Sequence, residues 1–263
     1  MEKIRDILNL FKQEIQKALG TDELVDFQVI LPHNKNHGHI ATNAALKLSK
    51  ILKKNPQDIG QDIIENIDTK RLYIDQLQIV NPGFVNFFLK DEWIGIIGDM
   101  VLKNGLTILD QNIEDISECI KQDENFCKNT IAKLDCSSMN VSSNPFFYIT
   151  YVHDRAKNVT MILEKEGYTL GEEEVFKFVD EHGRNLMLKI LELDNVACET
   201  LKYKEPSKLY NYTKEYADLF HSYNNSLLIR QKSKEETLAI LYVFKVIERF
   251  TSEFFELLDI LGD

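Results

Sequence analysis

The chain has 263 residues, 44% hydrophobic and 28% charged, which is ordinary for a soluble globular protein with room for two modest domains. Its formal net charge of −11 argues against indiscriminate nucleic-acid binding, which needs lysine and arginine side chains to neutralise phosphates. The sequence has no apolar run long enough for a transmembrane helix, and its four cysteines form no CxxC pair. We therefore expect a cytoplasmic protein with free thiols and no zinc site.

Residues 1–105 predict a small α+β domain. Apolar residues at helical spacing and β-rich runs predict helices at 3–19, 40–54, 57–67 and 93–103, and strands at 24–31, 72–80 and 84–89. The last two strands are joined by Asn81-Pro82-Gly83, a typical turn sequence. This segment is close to neutral, since residues 1–104 carry 14 acidic and 13 basic side chains.

Residues 106–143 are acidic and lack a steady hydrophobic period, which predicts a linker with one short helix at 112–121. From residue 144 the pattern is helical to the end of the chain. Helices are predicted at 145–166, 173–194, 206–230 and 234–261. The expected fold class is thus an α+β N-terminal domain (1–105), an acidic linker (106–143) and an all-α C-terminal bundle (144–263).

The C-terminal bundle carries three ordered motifs: Asn144-Pro145-x-Phe147-Tyr148-x-x-Tyr151-x-His153-x-Arg155, Tyr212 followed by Phe220-His221-Ser222-x-x-Asn225, and Leu257-Leu258-x-Ile260-Leu261-Gly262. Together they resemble the all-helical, DALR-type anticodon-binding domain of class I aminoacyl-tRNA synthetases, above all the arginyl enzyme. The resemblance implies a bundle that binds the anticodon stem-loop of a tRNA.

The N-terminal domain carries Gly38-x-Ile40-Ala41-Thr42-Asn43-Ala44-Ala45 and Asn81-Pro82-Gly83-Phe84-Val85-Asn86-Phe87-Phe88-Leu89. These segments are similar to the additional domain that precedes catalysis in arginyl-tRNA synthetases. The resemblance implies contact with the tRNA elbow and its D-loop through Asn81, Phe84 and Asn86. Alternatively, the asparagines cap the turn and Phe84 belongs to the core.

Lysines cluster at 47–54, and Lys50 and Lys54 are candidate phosphate contacts, although such a cluster is also compatible with an ordinary solvated face.

Aromatic and polar side chains on the C-terminal bundle fit the chemistry of a single-stranded loop, whose bases stack on aromatic rings and are read at their edges. The candidate anticodon contacts are Tyr148, Tyr151, His153, Arg155, Tyr223 and Asn224. Tyr148 and Tyr151 are expected on one helical face, with Arg155 one turn beyond Tyr151. The alternative is structural: the tyrosines pack beneath the fourth helix, Arg155 pairs with an acid, and His221 is a satisfied structural histidine.

The catalytic motifs of the arginyl enzyme are not found in the sequence. His37-Gly38-His39-Ile40 is superficially similar to the nucleotide-binding His-Ile-Gly-His motif, but it belongs to the additional-domain signature. Residues 106–143 are too few for a Rossmann-type catalytic domain. Candidate acids and bases such as Asp154, His182 and His33 form no nucleophile–base–orienter set, so we expect no catalytic residues, no metal and no cofactor.

Three hypotheses follow. The preferred one is a synthetase-like protein without its catalytic core that binds tRNA, specifically an arginine tRNA, at the elbow and anticodon stem-loop as an adaptor or regulator. The second is a non-catalytic subunit or remnant of an arginine–tRNA ligase that acts with a separate catalytic chain. The third is a protein–protein interaction module that has lost RNA binding, which the acidic charge favours. None involves DNA or a membrane.

Overall fold

The computed structural model describes residues 3–20, 27–32, 37–109, 113–121, 145–171 and 174–258. The chain divides into two compact units, one spanning Lys3–Trp93 and the other beginning at Ile94. The first is an α+β unit and the second is helical, which confirms the predicted fold class. Each unit has its own core, and each is described separately.

The α+β unit contains a four-stranded antiparallel sheet in the order β1-β2-β4-β3. Its elements are α1 (Ile4–Ala18), β1 (Val29–Ile30), β2 (Ile40–Thr42), α2 (Ala44–Leu52), α3 (Pro56–Asn66), β3 (Ile74–Val80) and β4 (Phe84–Leu89). Asn55 begins α3 as its N-cap, because its side chain accepts a hydrogen bond from the Gln57 backbone N–H.

One predicted element of this unit is wrong at its start. Residues 40–42 were predicted to open a helix, but they form β2, which pairs with β4 through Ile40 and Phe87. Gly38 enables this pairing: its φ is +77°, and a Cβ there would lie 2.8 Å from the Phe87 carbonyl oxygen. The local helical pattern was overridden by strand pairing that no short window of sequence contains.

The core of the α+β unit forms between α1 and the inner face of the sheet. The Phe11 ring lies 5.5 Å from the Phe87 ring and 5.8 Å from the Trp93 ring, centroid to centroid. The Trp93 indole N–H donates to the Leu72 carbonyl oxygen at 2.7 Å, so the buried polar end of this side chain is satisfied. Phe87 therefore marks the side of β4 that faces the core of this unit.

The helical unit is built around two long antiparallel helices, Pro145–Lys165 and Lys234–Leu258, and the other helices pack around them. Its helices are α4 (Glu92–Asn104, whose first residues belong to the α+β unit), α5 (Ile113–Lys121), α6 (Pro145–Lys165), α7 (Glu181–Lys189), α8 (Leu193–Tyr203), α9 (Ser207–Ser226) and α10 (Lys234–Leu258). Its core is a row of aromatic rings between α9 and α10, with Tyr216 lying 5.1 Å from Phe250 and Phe220 lying 6.0 Å from Phe244.

The helix predicted at 173–194 is wrong, because the chain turns before Asp180. A 3₁₀ turn at Val175–Phe178 precedes Asp180, which adopts an extended conformation. The Asp180 carboxylate then accepts from the Gly183 backbone N–H at 2.8 Å and begins α7. The sequence prediction missed this N-cap because the apolar pattern runs on across it.

The predicted domain boundary at 105 differs from the division into units, which falls after Trp93. The reason is that α4 packs against α10: the Tyr242 hydroxyl donates to the Gly95 carbonyl oxygen at 3.1 Å. Gly98 permits this approach, since a Cβ there would lie 2.0 Å from the Tyr242 hydroxyl oxygen. α5 also packs on α8 and α10, so residues 113–121 belong to the helical unit.

Candidate nucleic-acid interface

The first candidate surface lies where α6 meets the C-terminal half of α9. Tyr151 on α6 is 39% exposed, and its ring stacks on His221 of α9 with centroids 5.0 Å apart and planes 18° apart. Phe220 meets the same tyrosine edge-on at 6.4 Å. One face of the Tyr151 ring is therefore covered by the imidazole, and its exposed area lies on the remaining sides.

A second contact joins the same two helices one turn further along. The Arg155 Nε–H donates to the Asn224 side-chain oxygen at 3.0 Å. Nε supplies one of the five N–H donors of a guanidinium, so the two Nη groups remain for other acceptors. We call Tyr151, Arg155, His221 and Asn224 the helical face.

The structure turns two of the predicted anticodon contacts away from the surface and leaves a third, Tyr148, untested. Tyr223 is 2% exposed and packs against Phe244 in the core, so its ring offers no face to a base, and burial beside Asp180 raises its pKa. His153 is half-buried and turned towards α10, with its Nδ1 3.1 Å from the Thr251 hydroxyl. Tyr148 lies in the first turn of α6, and its side chain falls outside the described part of the chain.

The sequence assigned His221 a structural role, and its stacking against the Tyr151 ring was not predicted. A usable signal was present: His221 and Asn224 are three residues apart on α9, and Tyr151 and Arg155 are four apart on α6. Both spacings place a pair on one helical face. Pairing the two helices in space was the step that the sequence could not supply.

The second candidate surface lies at the β3–β4 turn and along β4. Asn81 is exposed in the turn, where its side-chain oxygen accepts from the Gln57 side chain at 2.7 Å. Gly83 has a φ of +144°, and a Cβ there would lie 2.6 Å from Pro56, so the turn packs tightly against the start of α3. Asn81 is thus held on the surface by α3.

Strand alternation places Phe84 and Asn86 on the outer face of the sheet, opposite Phe87. Phe84 is half-buried. Asn86 is 2% exposed, and its side-chain nitrogen has no hydrogen-bond partner among the described residues. An unpaired buried amide is costly, but this nitrogen is as enclosed as the Tyr223 ring, so the predicted RNA contact of Asn86 is not on the surface of this structure. We call Asn81, Phe84 and Asn86 the strand face.

The two candidate lysines differ in their surroundings. Lys50 is exposed on α2, one turn after Leu46, whose side chain lies against the Gly83 position of the turn. Lys54 is also exposed but forms an ion pair with Asp62 of α3. A paired ammonium is a weaker phosphate contact, because binding phosphate means competing with its own carboxylate. Lys50 is therefore the stronger candidate of the two.

Other chemistry was sought in the described ranges. The Ser222 hydroxyl lies 3.0 Å from His182 Nδ1, but both side chains are exposed and the structure describes no third group orienting this imidazole. In those same ranges, no three metal-ligating side chains cluster as a cation site would require. Likewise, no described helix combines the length and apolarity needed to cross a membrane.

Comparison with known proteins matches each unit to a known domain family. Residues 5–89 match the family described as the arginyl tRNA synthetase N terminal domain, and residues 149–261 match the DALR anticodon binding domain. The first unit thus carries an arginyl-tRNA synthetase N-terminal domain, and the second carries a DALR anticodon-binding domain. The N-terminal match ends at the last residue of β4, and the DALR match begins two residues before Tyr151.

The relatives are similar to this chain over only a small part of their own length. Arginine–tRNA ligases of Staphylococcus aureus, strains JH9 and COL among them, are 37% identical over 91 residues. That stretch is 35% of this chain but 16% of the ligase, so most of each ligase has no counterpart in the match. A Campylobacter jejuni structure described as an arginyl-tRNA synthetase is 16% identical and covers 97% of this chain and 61% of its own, but its TM-score of 0.38 is too low to support an argument.

Proposed function

We propose that this chain binds tRNA, specifically an arginine tRNA, as a cytoplasmic adaptor or regulator that does not charge it. The strand face contacts the elbow, and the helical face contacts the anticodon stem-loop. Two modest contacts joined in one chain raise each other's effective concentration, so the whole chain binds more tightly than either domain alone.

One observation carries this proposal: the chain matches the arginyl tRNA synthetase N terminal domain and the DALR anticodon binding domain, with only residues 90–148 between the matched segments. That interval also contains α4 and α5, which pack in the helical unit. It is too short for a nucleotide-binding catalytic domain of typical size. The activity of the full-length ligases is therefore not carried over to this chain.

The chemistry of the two faces is compatible with a strongly acidic protein. Stacking on Tyr151 and hydrogen bonding from Arg155 and Asn81 do not require a large positive field. We therefore expect binding that depends less on salt than that of a basic RNA-binding protein, because few phosphates are neutralised.

The test is direct binding of the purified chain to a tRNA pool and to random RNA of matched length, at physiological salt. Preference for tRNA, strongest for arginine acceptors, is expected. Equal binding to both RNAs, or no binding, would contradict the proposal. In that case the acidic surface charge would favour a protein–protein interaction module.

An aminoacylation assay separates the adaptor from a subunit of a split ligase. With arginine, ATP and tRNA, we expect the chain alone to form no arginyl-tRNA. Charging that begins only when a co-purifying protein with a nucleotide-binding fold is added would support the split ligase. Charging by the chain alone would contradict the absence of a catalytic core.

A further inference from the structure

We infer that His221 is a positioning residue, which holds the Tyr151 ring in place so that an RNA base stacks on the ring's free face. This inference rests on the proposed RNA-binding function of the helical face, and it assigns a role to a side chain outside the predicted contacts. It makes the Tyr151–His221 pair one stacking unit rather than two independent surface side chains.

The geometry carries the inference. The two ring planes are 18° apart with centroids at 5.0 Å, which is a stacked arrangement, whereas Phe220 meets Tyr151 at 77°. Tyr151 is therefore bounded by one parallel ring and one edge-on ring. A tyrosine that is 39% exposed would otherwise sample several rotamers, and these contacts limit that freedom.

The contact with His221 pre-organises the Tyr151 ring for binding. An aromatic side chain fixed before the RNA arrives loses less conformational freedom when a base stacks on it. His221 covers the opposite side of the Tyr151 ring, so the base, the phenol and the imidazole form a three-layer stack. In that stack His221 acts through Tyr151 and need not touch the RNA.

The next turn of the same helices repeats this arrangement. Asn224 accepts from Arg155 Nε at 3.0 Å, so α9 also supports the second RNA-facing residue of α6. Tyr151 and Arg155 are thus each held by one residue of α9, and these two residues, His221 and Asn224, lie three positions apart. The repetition supports a positioning role for α9 at this surface.

A double-mutant cycle in the full chain tests the inference, using an anticodon stem-loop RNA as the probe. Tyr151→Ala is expected to weaken binding about 5- to 150-fold through the lost base stacking. His221→Ala is expected to weaken it about 3- to 10-fold. In the Tyr151→Ala background, His221→Ala is expected to have no further effect, because its target ring is gone. His221→Phe, which keeps a stacked ring, is expected to restore most of the affinity.

The outcomes separate the inference from the function on which it rests. If wild type binds and Tyr151→Ala weakens binding, but His221→Ala does not, the positioning role is wrong while RNA binding stands. Additive losses in the double variant would also overturn it, since they would mean that His221 touches RNA itself. If wild type fails to bind any RNA, the proposed function fails first.

A measurement without RNA keeps the inference testable in that case. With 3-fluorotyrosine placed at position 151, His221→Ala is expected to shift the fluorine signal and speed ring rotation. His221→Phe is expected to preserve the slow rotation. A signal that does not respond to His221→Ala would show that the imidazole does not hold the ring.

Discussion

The two candidate RNA surfaces hold their residues in different ways. On the helical face, Tyr151 and Arg155 are oriented by side chains of a neighbouring helix, His221 and Asn224. On the strand face, Phe84 and Asn86 are oriented by the backbone ladder of β4. Tyr151 and Arg155 can therefore be altered by changing one supporting side chain, whereas Phe84 and Asn86 change position only if the sheet does.

The two units also differ in how many tyrosines their cores contain. The helical unit buries Tyr212, Tyr216 and Tyr223, with Tyr216 fully inaccessible to solvent. The sequence from Met1 to Trp93 holds one tyrosine, Tyr73, and its side chain is 41% exposed. The two units should therefore respond differently to alkaline pH and to substitution.

Alkaline pH is expected to have the largest effect, and it should fall on the helical unit. Burial raises the pKa of Tyr212, Tyr216 and Tyr223, so these phenols stay protonated in the folded unit while they ionise near pH 10 in the unfolded chain. Stability is thus intact below about pH 10 and falls above it, by about 1.4 kcal/mol per pH unit for each phenol.

The measurement is urea unfolding between pH 8.5 and 11.5. Circular dichroism follows the helices of both units, and the fluorescence of Trp93, the chain's only tryptophan, follows the α+β unit, so the ellipticity change that Trp93 does not share reports the helical unit. We expect the helical transition to move to lower urea as pH rises, and to move less in Tyr216→Phe. A shift no greater in the helical unit than in the α+β unit would contradict the assignment of these tyrosines.

Two phenylalanines on opposite faces of β4, Phe84 and Phe87, provide the next comparison. Phe87→Ala removes a fully buried ring beside Phe11 and is expected to cost about 3–5 kcal/mol of unfolding free energy. Phe84→Ala, on the outer face, is expected to cost much less but to weaken tRNA binding. Denaturant titration and binding assays on both variants test this. If Phe84→Ala proved as destabilising as Phe87→Ala, Phe84 would be a core residue.

Tyr151→Ala should have a smaller effect on stability, with its main effect on RNA. We expect a loss of about 1–3 kcal/mol in anticodon stem-loop binding and less than about 1 kcal/mol in stability. Tyr203→Ala is the matched control, because Tyr203 is also an exposed tyrosine of the helical unit, at 53%, but lies outside the helical face. Equal losses of binding in the two variants would show that the helical face is not the RNA site.

The smallest expected effect is that of Tyr216→Phe near neutral pH. The Tyr216 hydroxyl is buried and has no hydrogen-bond partner among the described residues. Removing an unsatisfied polar group is expected to leave stability unchanged or raise it by about 1 kcal/mol. Calorimetry at pH 7 measures the change. A loss of more than about 1 kcal/mol would mean that this hydroxyl is hydrogen-bonded in solution.

Much of the fold follows from patterns within short windows. The helix at 234–258 and the hairpin around Asn81 were predictable, because one apolar face of a helix and one turn sequence are local features. β2 was not, since its strand character depends on pairing with Phe87, more than 40 residues away. The break before Asp180 was missed because apolar residues continue through it.

The candidate sites were predictable in chemistry but not in orientation. Aromatic and polar residues of α6 and α9 were expected to face RNA, yet Tyr223 turns inward and His153 turns towards Thr251. Residue type alone does not reveal which side of a packed helix faces the core. His221 shows the converse, because its role depends on a ring of another helix.

Sequencing the RNA that co-purifies with the full chain tests the central claim most directly. If two tRNA-binding domains persist here without a catalytic core, the recovered RNA should be strongly enriched in tRNA, with arginine acceptors foremost. Enrichment should diminish in the Tyr151→Ala variant prepared in parallel. RNA that mirrors total cellular RNA, or no bound RNA at all, would contradict the claim.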